Sequence, residues 1–224
     1  MRLFVAILPS PEVLAELDVV LGPVRGAGER AAPGVRWVRP EQWHVTLAFL
    51  GEVDPPTADD VAARLARVAA RHPPLVLVIS GGGRFGDRVL WAGVTAGAGG
   101  AGGAGGAGGH GGAGPGSPGG PAALRDLAAS VRAAARRCGI PGQEPDRRYR
   151  PHLTLARGRA GADLAPLAAR LARFSGSPWQ ARELHLVRSE LNAGPDGTAR
   201  HTVYGTWPLT GRRRGSGSSR SRPP

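Results

Sequence analysis

The chain has 224 residues, among them 36 Gly and 21 Pro, and a formal net charge of +12. A single cysteine, Cys138, excludes a disulfide scaffold. Gly occurs in no G-X-Y register through the chain, which excludes collagen, and no apolar run approaches the ~20 residues that span a bilayer.

Leu3 to Leu8 reads as a buried strand. Ser10-Pro11-Glu12 then has the form of a helix start, Ser at the N-cap and Pro at the first helical position. That helix carries Val13, Leu14, Leu17 and Leu21 and is expected to stop near Gly22-Pro23. Val35 to Val38 and Trp43 to Leu50 are expected strands. Thr57 and Asp60 resemble a capping pair before a helix bearing Val61, Leu65 and Val68, with His72 at its C-terminal end. Leu75 to Ile79 and Val89 to Thr95 are two more strands, with Gly81-Gly82-Gly83 read as a turn.

From Gly97 to Gly120 the composition changes: 15 of 24 residues are Gly, five are Ala and none is charged. Such a segment buries too little apolar surface to offset its ordering entropy, so residues 97–120 are expected to be a disordered insertion. Ala122 to Cys138 is an expected helix, Arg148 to Ala156 a strand and Asp163 to Phe174 a short helix. Trp179 to Leu191 and His201 to Leu209 form an expected hairpin around Asn192-Ala193-Gly194-Pro195. Residues 211–224 are expected to be a disordered basic tail, which leaves one domain over residues 1–210.

The order of elements is α+β, in two comparable halves with the insertion near the midpoint. It predicts a bilobal fold: two pseudo-symmetric lobes of antiparallel sheet, helices packed outside, and a central cleft. All 29 basic residues are Arg. The charge fits an anionic partner, since Arg binds phosphate well, and it equally fits a merely soluble surface. The short apolar stretch behind Arg2 has no signal-peptide form, so a cytoplasmic location is expected.

One pattern occurs twice: His44-Val45-Thr46-Leu47 and His152-Leu153-Thr154-Leu155. Both copies lie in expected strands, one in each half. Residues i and i+2 of a strand share a face, so each copy sets one imidazole and one hydroxyl side by side, with aliphatics, and Phe49 in the first copy, behind. If the lobes pack symmetrically, both His-Thr pairs line one cleft. Two imidazoles suit phosphoester cleavage without a metal, one as base on the incoming oxygen and one as acid on the leaving oxygen. The Thr hydroxyls would donate to phosphoryl oxygens. A metal site is disfavoured, because each motif offers one ligand and no His-x-His, His-Glu-x-x-His or Cys cluster supplies the rest. His72, His110, His185 and His201 have no motif around them; His185 alternates with Leu184 and Leu186 and reads as part of a solvated strand face, with a cleft-edge residue as the alternative. Trp37 and Phe85 are either core aromatics or stacking platforms for a nucleobase.

With these residues the chain resembles the two-histidine phosphoesterase superfamily, and within it the bacterial RNA 2′,3′-cyclic phosphodiesterases, also called 2′-5′ RNA ligases. The resemblance runs from Arg2-Leu3-Phe4-Val5-Ala6-Ile7 through Trp43 to Gly51 and Arg150 to Arg157, to Leu186-Val187-Arg188-Ser189-Glu190-Leu191 and Tyr204 to Leu209. It implies His44 as proton donor to the leaving ribose oxygen and His152 as the acceptor that activates water. It implies Thr46, Thr154 and Arg157 as phosphate-binding residues and a 2′-phosphate as product. Expected partners are RNA or a nucleotide with a 2′,3′-cyclic phosphate, with no cofactor, no membrane, no obligate protein partner and a monomeric state. The alternatives are 2′-5′ ligation at the same site and an RNA-binding module without catalysis. Strict alternation places Arg157 on the face opposite His152, and it reaches the cleft only if the strand bends near Ala156.

Overall fold

The computed structural model describes residues 1–31, 34–97, 121–141, 149–159, 161–194 and 198–211. The expected insertion (98–120), most of the tail (212–224), His110, Arg148 and Pro195 lie outside them. In chain order the elements are β1 (Arg2–Ile7), α1 (Pro11–Ala31), β2 (Val35–Trp37), a 3-10 turn (Pro40–Gln42), β3 (Val45–Glu52), α2 (Pro55–Arg71), β4 (Leu75–Phe85), β5 (Val89–Ala96), α3 (Pro121–Arg136), β6 (His152–Gly158), α4 (Ala165–Leu171), β7 (Trp179–Ala181), β8 (Glu183–Glu190) and β9 (Arg200–Pro208).

The strands form two antiparallel sheets, a first of order β3-β1-β8-β9 and a second of order β2-β6-β5-β4-β7. The α+β bilobal architecture is therefore as the sequence predicts, but the lobes are not the two halves of the chain. β4 and β5, which precede the insertion, pair into the second sheet, while β8 and β9 close the first. The helices cross over as well. α1 follows β1 of the first sheet yet packs on β2 and α4; α3 follows β5 of the second sheet and packs on α2 and β3. One face of each sheet is covered by helices, and a continuous apolar core runs beneath both, including Val5, Ile7, Leu17, Leu47, Leu65, Leu77, Leu90, Leu127, Leu153 and Leu186. Among the described residues no helix is long and apolar enough to cross a membrane.

Several boundaries differ from the sequence expectation for local reasons. α1 continues through Pro23. The turn beyond it is held by Val24, which is buried, and by Arg25, whose guanidinium lies 5.7 Å from the Trp37 ring centre and 5.8 Å from that of Trp43. These contacts offset the hydrogen bond that proline cannot make. The cap of α2 is Asp54, which accepts from the Thr57 backbone N–H at 2.8 Å. The Gly81–Gly83 segment is not a turn but part of β4, where a bulge falls between Ile79 and Gly82 and Gly81 has φ +67°. The expected final hairpin strand is two strands: β7 belongs to the second sheet, and the chain crosses to the first at Arg182, whose carbonyl accepts from Leu209 N–H.

Candidate active site

The two histidine motifs fall one in each sheet: His152 opens β6, while His44 stands just before β3, which starts at Val45 rather than at the expected Trp43. Each strand contains a bulge at the same place in its motif. Val5 and Ala6 of β1 pair with Ala48 and Thr46, leaving Leu47 as the extra residue. Leu90 and Trp91 of β5 pair with Ala156 and Thr154, leaving Leu155. An extra residue shifts the alternation by one, so the side chain five positions after each histidine returns to the histidine face. The first bulge turns Phe49 outward, against its expected place in the core; it is 46 % exposed and 6.1 Å from the Phe4 ring. The second turns Arg157 to the side of His152 and Thr154. The bend expected near Ala156 is thus a bulge at Leu155.

The two imidazoles are held alike. His44 Nδ1 lies 2.7 Å from the carbonyl of Gln42, and His152 Nδ1 lies 2.7 Å from the carbonyl of Arg150. A carbonyl only accepts, so each Nδ1 carries the proton and each Nε2 is left for a ligand. The Gln42 side-chain amide donates in turn to the carbonyl of Ala199, which ties this corner to the start of β9. Tyr149, just before β6, donates its hydroxyl to the carbonyl of Thr46 at 3.0 Å and so links one motif to the other. The Arg132 guanidinium sits 5.2 Å from the Tyr149 ring centre.

Aromatic rings fix the outer faces of both imidazoles. His44 packs on Phe4, with ring centres 4.6 Å apart, and His152 meets Phe85 edge-on at 5.0 Å and Trp91 at 6.3 Å. Phe85 is therefore a cleft residue, 38 % exposed, whereas Trp37 packs on the core. Gly83 lets Trp91 take this place, because a Cβ there would lie 2.2 Å from the indole ring.

The structure adds two histidines that carried no motif. His201 on β9 packs edge-on against both Phe4 (5.1 Å) and His44 (5.2 Å). His185 is buried rather than solvated, and its Nδ1 lies 3.0 Å from Thr206 Oγ1. The sequence signal for His185 is its alternation with Leu184 and Leu186, which leaves the cleft edge open to it; His201 has only its position on a strand of unknown register.

Electrostatically the cleft disfavours protonated imidazole. Burial, joined by the charges of His201, His152 and Arg157, pushes His44 down to about 4 against the pull of the Gln42 carbonyl. Burial also lowers His152, against the pull of the Arg150 carbonyl, and lowers His201 with help from Arg157. Arg157 itself is lowered by burial and by the neighbouring charges of Arg36 and Arg2. An anion placed among these groups would oppose each of these charge contributions. Among the described residues no three His, Cys, Asp or Glu side chains group as a metal site.

The chain is similar to several known proteins. The RNA 2′,3′-cyclic phosphodiesterase of Geobacillus stearothermophilus is 29% identical over 192 residues, covering 83% of this chain and 51% of that protein. The chain thus spans about half the length of that curated relative. The protein of the same name from Thermus thermophilus is 31% identical over 219 residues, covering 94% of this chain and 91% of the relative. The crystal structure of TT0787 of Thermus thermophilus superposes with a TM-score of 0.64 at 29% identity, covering 95% of this chain and 100% of that one. The model of the 2′-5′ RNA ligase superfamily matches residues 15–193, and the chain belongs to that superfamily.

Proposed function

We propose that the protein is an RNA 2′,3′-cyclic phosphodiesterase that opens the cyclic phosphate to a 2′-phosphomonoester by general acid and base catalysis between His44 and His152, without a metal ion. The observation that carries the reading is the matched pair of imidazoles, one from each sheet, each with Nδ1 committed to the carbonyl two residues upstream and Nε2 left for substrate. In-line displacement at phosphorus needs a base and an acid on opposite sides of the phosphoryl group, and a histidine from each of the two sheets suits that need.

In this reading the cyclic phosphate lies between the strands, its non-bridging oxygens on Thr46, Thr154 and Arg157. His152 Nε2 takes a proton from water as the water oxygen bonds to phosphorus. The bond from phosphorus to the 3′-oxygen breaks, and His44 Nε2 gives its proton to that oxygen. The products are a 2′-phosphate and a free 3′-hydroxyl. His152 starts neutral, as its lowered pKa favours. His44 must start protonated, and the substrate's negative charge supplies the stabilisation that the cleft alone withholds.

The test is hydrolysis of a short oligoribonucleotide with a 2′,3′-cyclic phosphate end, in excess EDTA, with the phosphate position of the product read by NMR. Clean conversion to the 2′-phosphate is expected. His44→Ala and His152→Ala should each lower turnover by about 10²–10⁴-fold while the circular dichroism spectrum stays folded. RNA binding without conversion in the unaltered protein would instead identify a binding module.

A further inference from the structure

The cleft holds more positive charge than one phosphoryl group uses. Arg36 on β2 and Arg157 on β6 are Cα partners across an antiparallel pair. Side chains directly opposite stand on the same face, where like charges repel. Arg2 reaches the same region from the other sheet, since on β1 it alternates with Phe4 and Ala6 on the cleft face. The charges of Arg36 and Arg2 both act on the Arg157 guanidinium, and Arg157 acts in turn on His201. Among the described residues none of the three arginines has a carboxylate partner. Glu52, opposite Arg2 across β1 and β3, pairs with the N-terminal ammonium at 3.4 Å instead. Three guanidiniums from three strands of both sheets thus lie where the charges of Arg2 and Arg36 reach Arg157, and among the described residues none has a counter-ion. That arrangement raises the free energy of the protein alone and lowers it once an anion binds. Arg36 is one strand further from the Thr154 hydroxyl than Arg157 is, about 5 Å farther along the sheet, so the phosphate between the histidines does not account for it.

We propose that Arg2 and Arg36, beside the Arg157 that serves the cyclic phosphate, form a subsite for a second phosphoryl group of the substrate, the one on the 5′-oxygen of the terminal nucleotide. This rests on the phosphodiesterase reading and narrows its substrate class to RNA ends and 5′-phosphorylated nucleotides, at the expense of bare nucleoside 2′,3′-cyclic phosphates. Guanidinium suits this role because its planar fork takes two phosphoryl oxygens at once. The same phosphoryl group comes from two sources: the diester linking the last two nucleotides, or a free 5′-monoester.

Three probes separate the cases: adenosine 2′,3′-cyclic phosphate, its 5′-phosphorylated form, and the adenosine dinucleotide ending in the cyclic phosphate. The expected result is a kcat/KM at least about tenfold higher for both phosphorylated probes than for the bare one, as a charge-assisted contact supplies. Arg36→Gln and Arg2→Gln should each cut that preference several-fold. Equal use of all three probes would overturn the proposal, as would a preference that survives both substitutions. A preference confined to the dinucleotide would also overturn it, because the contact would then be to the upstream nucleoside. Calorimetric binding of the three corresponding 2′-phosphate products tests the subsite without turnover. A preference for the 5′-phosphorylated products that Arg36→Gln removes, in a protein that hydrolyses none of the probes, would keep the subsite and sink the phosphodiesterase reading alone.

Discussion

The rings of His44 and His201 meet edge to face in the cleft, 5.2 Å between centres and 79° between planes, and the Phe4 ring touches both. Two neutral imidazoles pack well in this way, while two imidazolium ions would repel in a site that has little water to screen them. The contact therefore couples a side chain outside the repeated motif to the protonation of one inside it. It adds to burial, the largest cause of the low His44 basicity.

The pH dependence of turnover should show this coupling. In the free protein His44 protonates only near pH 4 and His152 below its ordinary range. The profile of kcat/KM should have both limbs below 6.5 and fall tenfold per pH unit above that. The profile of kcat should lie higher, because the bound phosphate stabilises imidazolium. His201→Asn removes one of the opposing charges, so the limb near pH 4 should move up. A kcat/KM profile with both limbs above 6.5 would contradict the assignment.

Stability should follow pH in one direction. The folded pKa of His44 is about 4 against an ordinary 6.5, so the unfolded chain binds the proton first as pH falls. The contribution is present above pH 6.5 and is lost progressively between 6.5 and 4, to the extent of about 3 kcal/mol for this group. His72, His152, His185 and His201 are lowered too and act with the same sign. Urea midpoints should fall steadily from pH 7 to pH 4. In His44→Asn the fall should be shallower, and an equal slope in both proteins would show that His44 is not the source.

The repeated motif is legible in the sequence because strand alternation is local: residues i and i+2 share a face whatever the strand pairs with. The bulge at Leu47 is not legible, and the one at Leu155 is legible only as the bend that Arg157 requires near Ala156. Each depends on the register of a partner strand, β1 in one case and β5 in the other, and no residue in the motif announces it. Hence alternation assigns Phe49 to the core, while the folded chain holds it in the cleft. His201 is invisible for the same reason, since only the pairing of β9 with β8 carries it to His44. The helix through Pro23 shows tertiary contact overriding a local stop signal, with Arg25 between two tryptophans doing what the sequence of α1 alone does not.

Gly83 should be intolerant of a side chain. A Cβ there would lie 2.2 Å from Trp91 Cζ2, and Trp91 is pinned between Phe85 and His152. Gly83→Ala should cost about 1–3 kcal/mol in urea unfolding and lower kcat/KM, since the indole must shift against the His152 ring. Gly22 on α1 is the contrasting site. Nothing lies within 4 Å of its Cβ position, so Gly22→Ala should hold or raise stability and leave turnover alone.

Tyr149 should matter to both stability and turnover through one hydrogen bond. Its hydroxyl donates to the Thr46 carbonyl at 3.0 Å, and burial raises its pKa, so it remains a neutral donor throughout the working range. Tyr149→Phe keeps the ring under Arg132 and removes only the donor. Losing one such bond costs about 1 kcal/mol, and somewhat more if the carbonyl finds no water. The carbonyl belongs to the residue whose side chain is proposed to hold phosphate, and the bond spans the two motif strands. Its loss should therefore raise KM several-fold as well as lower the urea midpoint. A lowered midpoint with KM unchanged would show that Tyr149 fastens the strands without positioning Thr46.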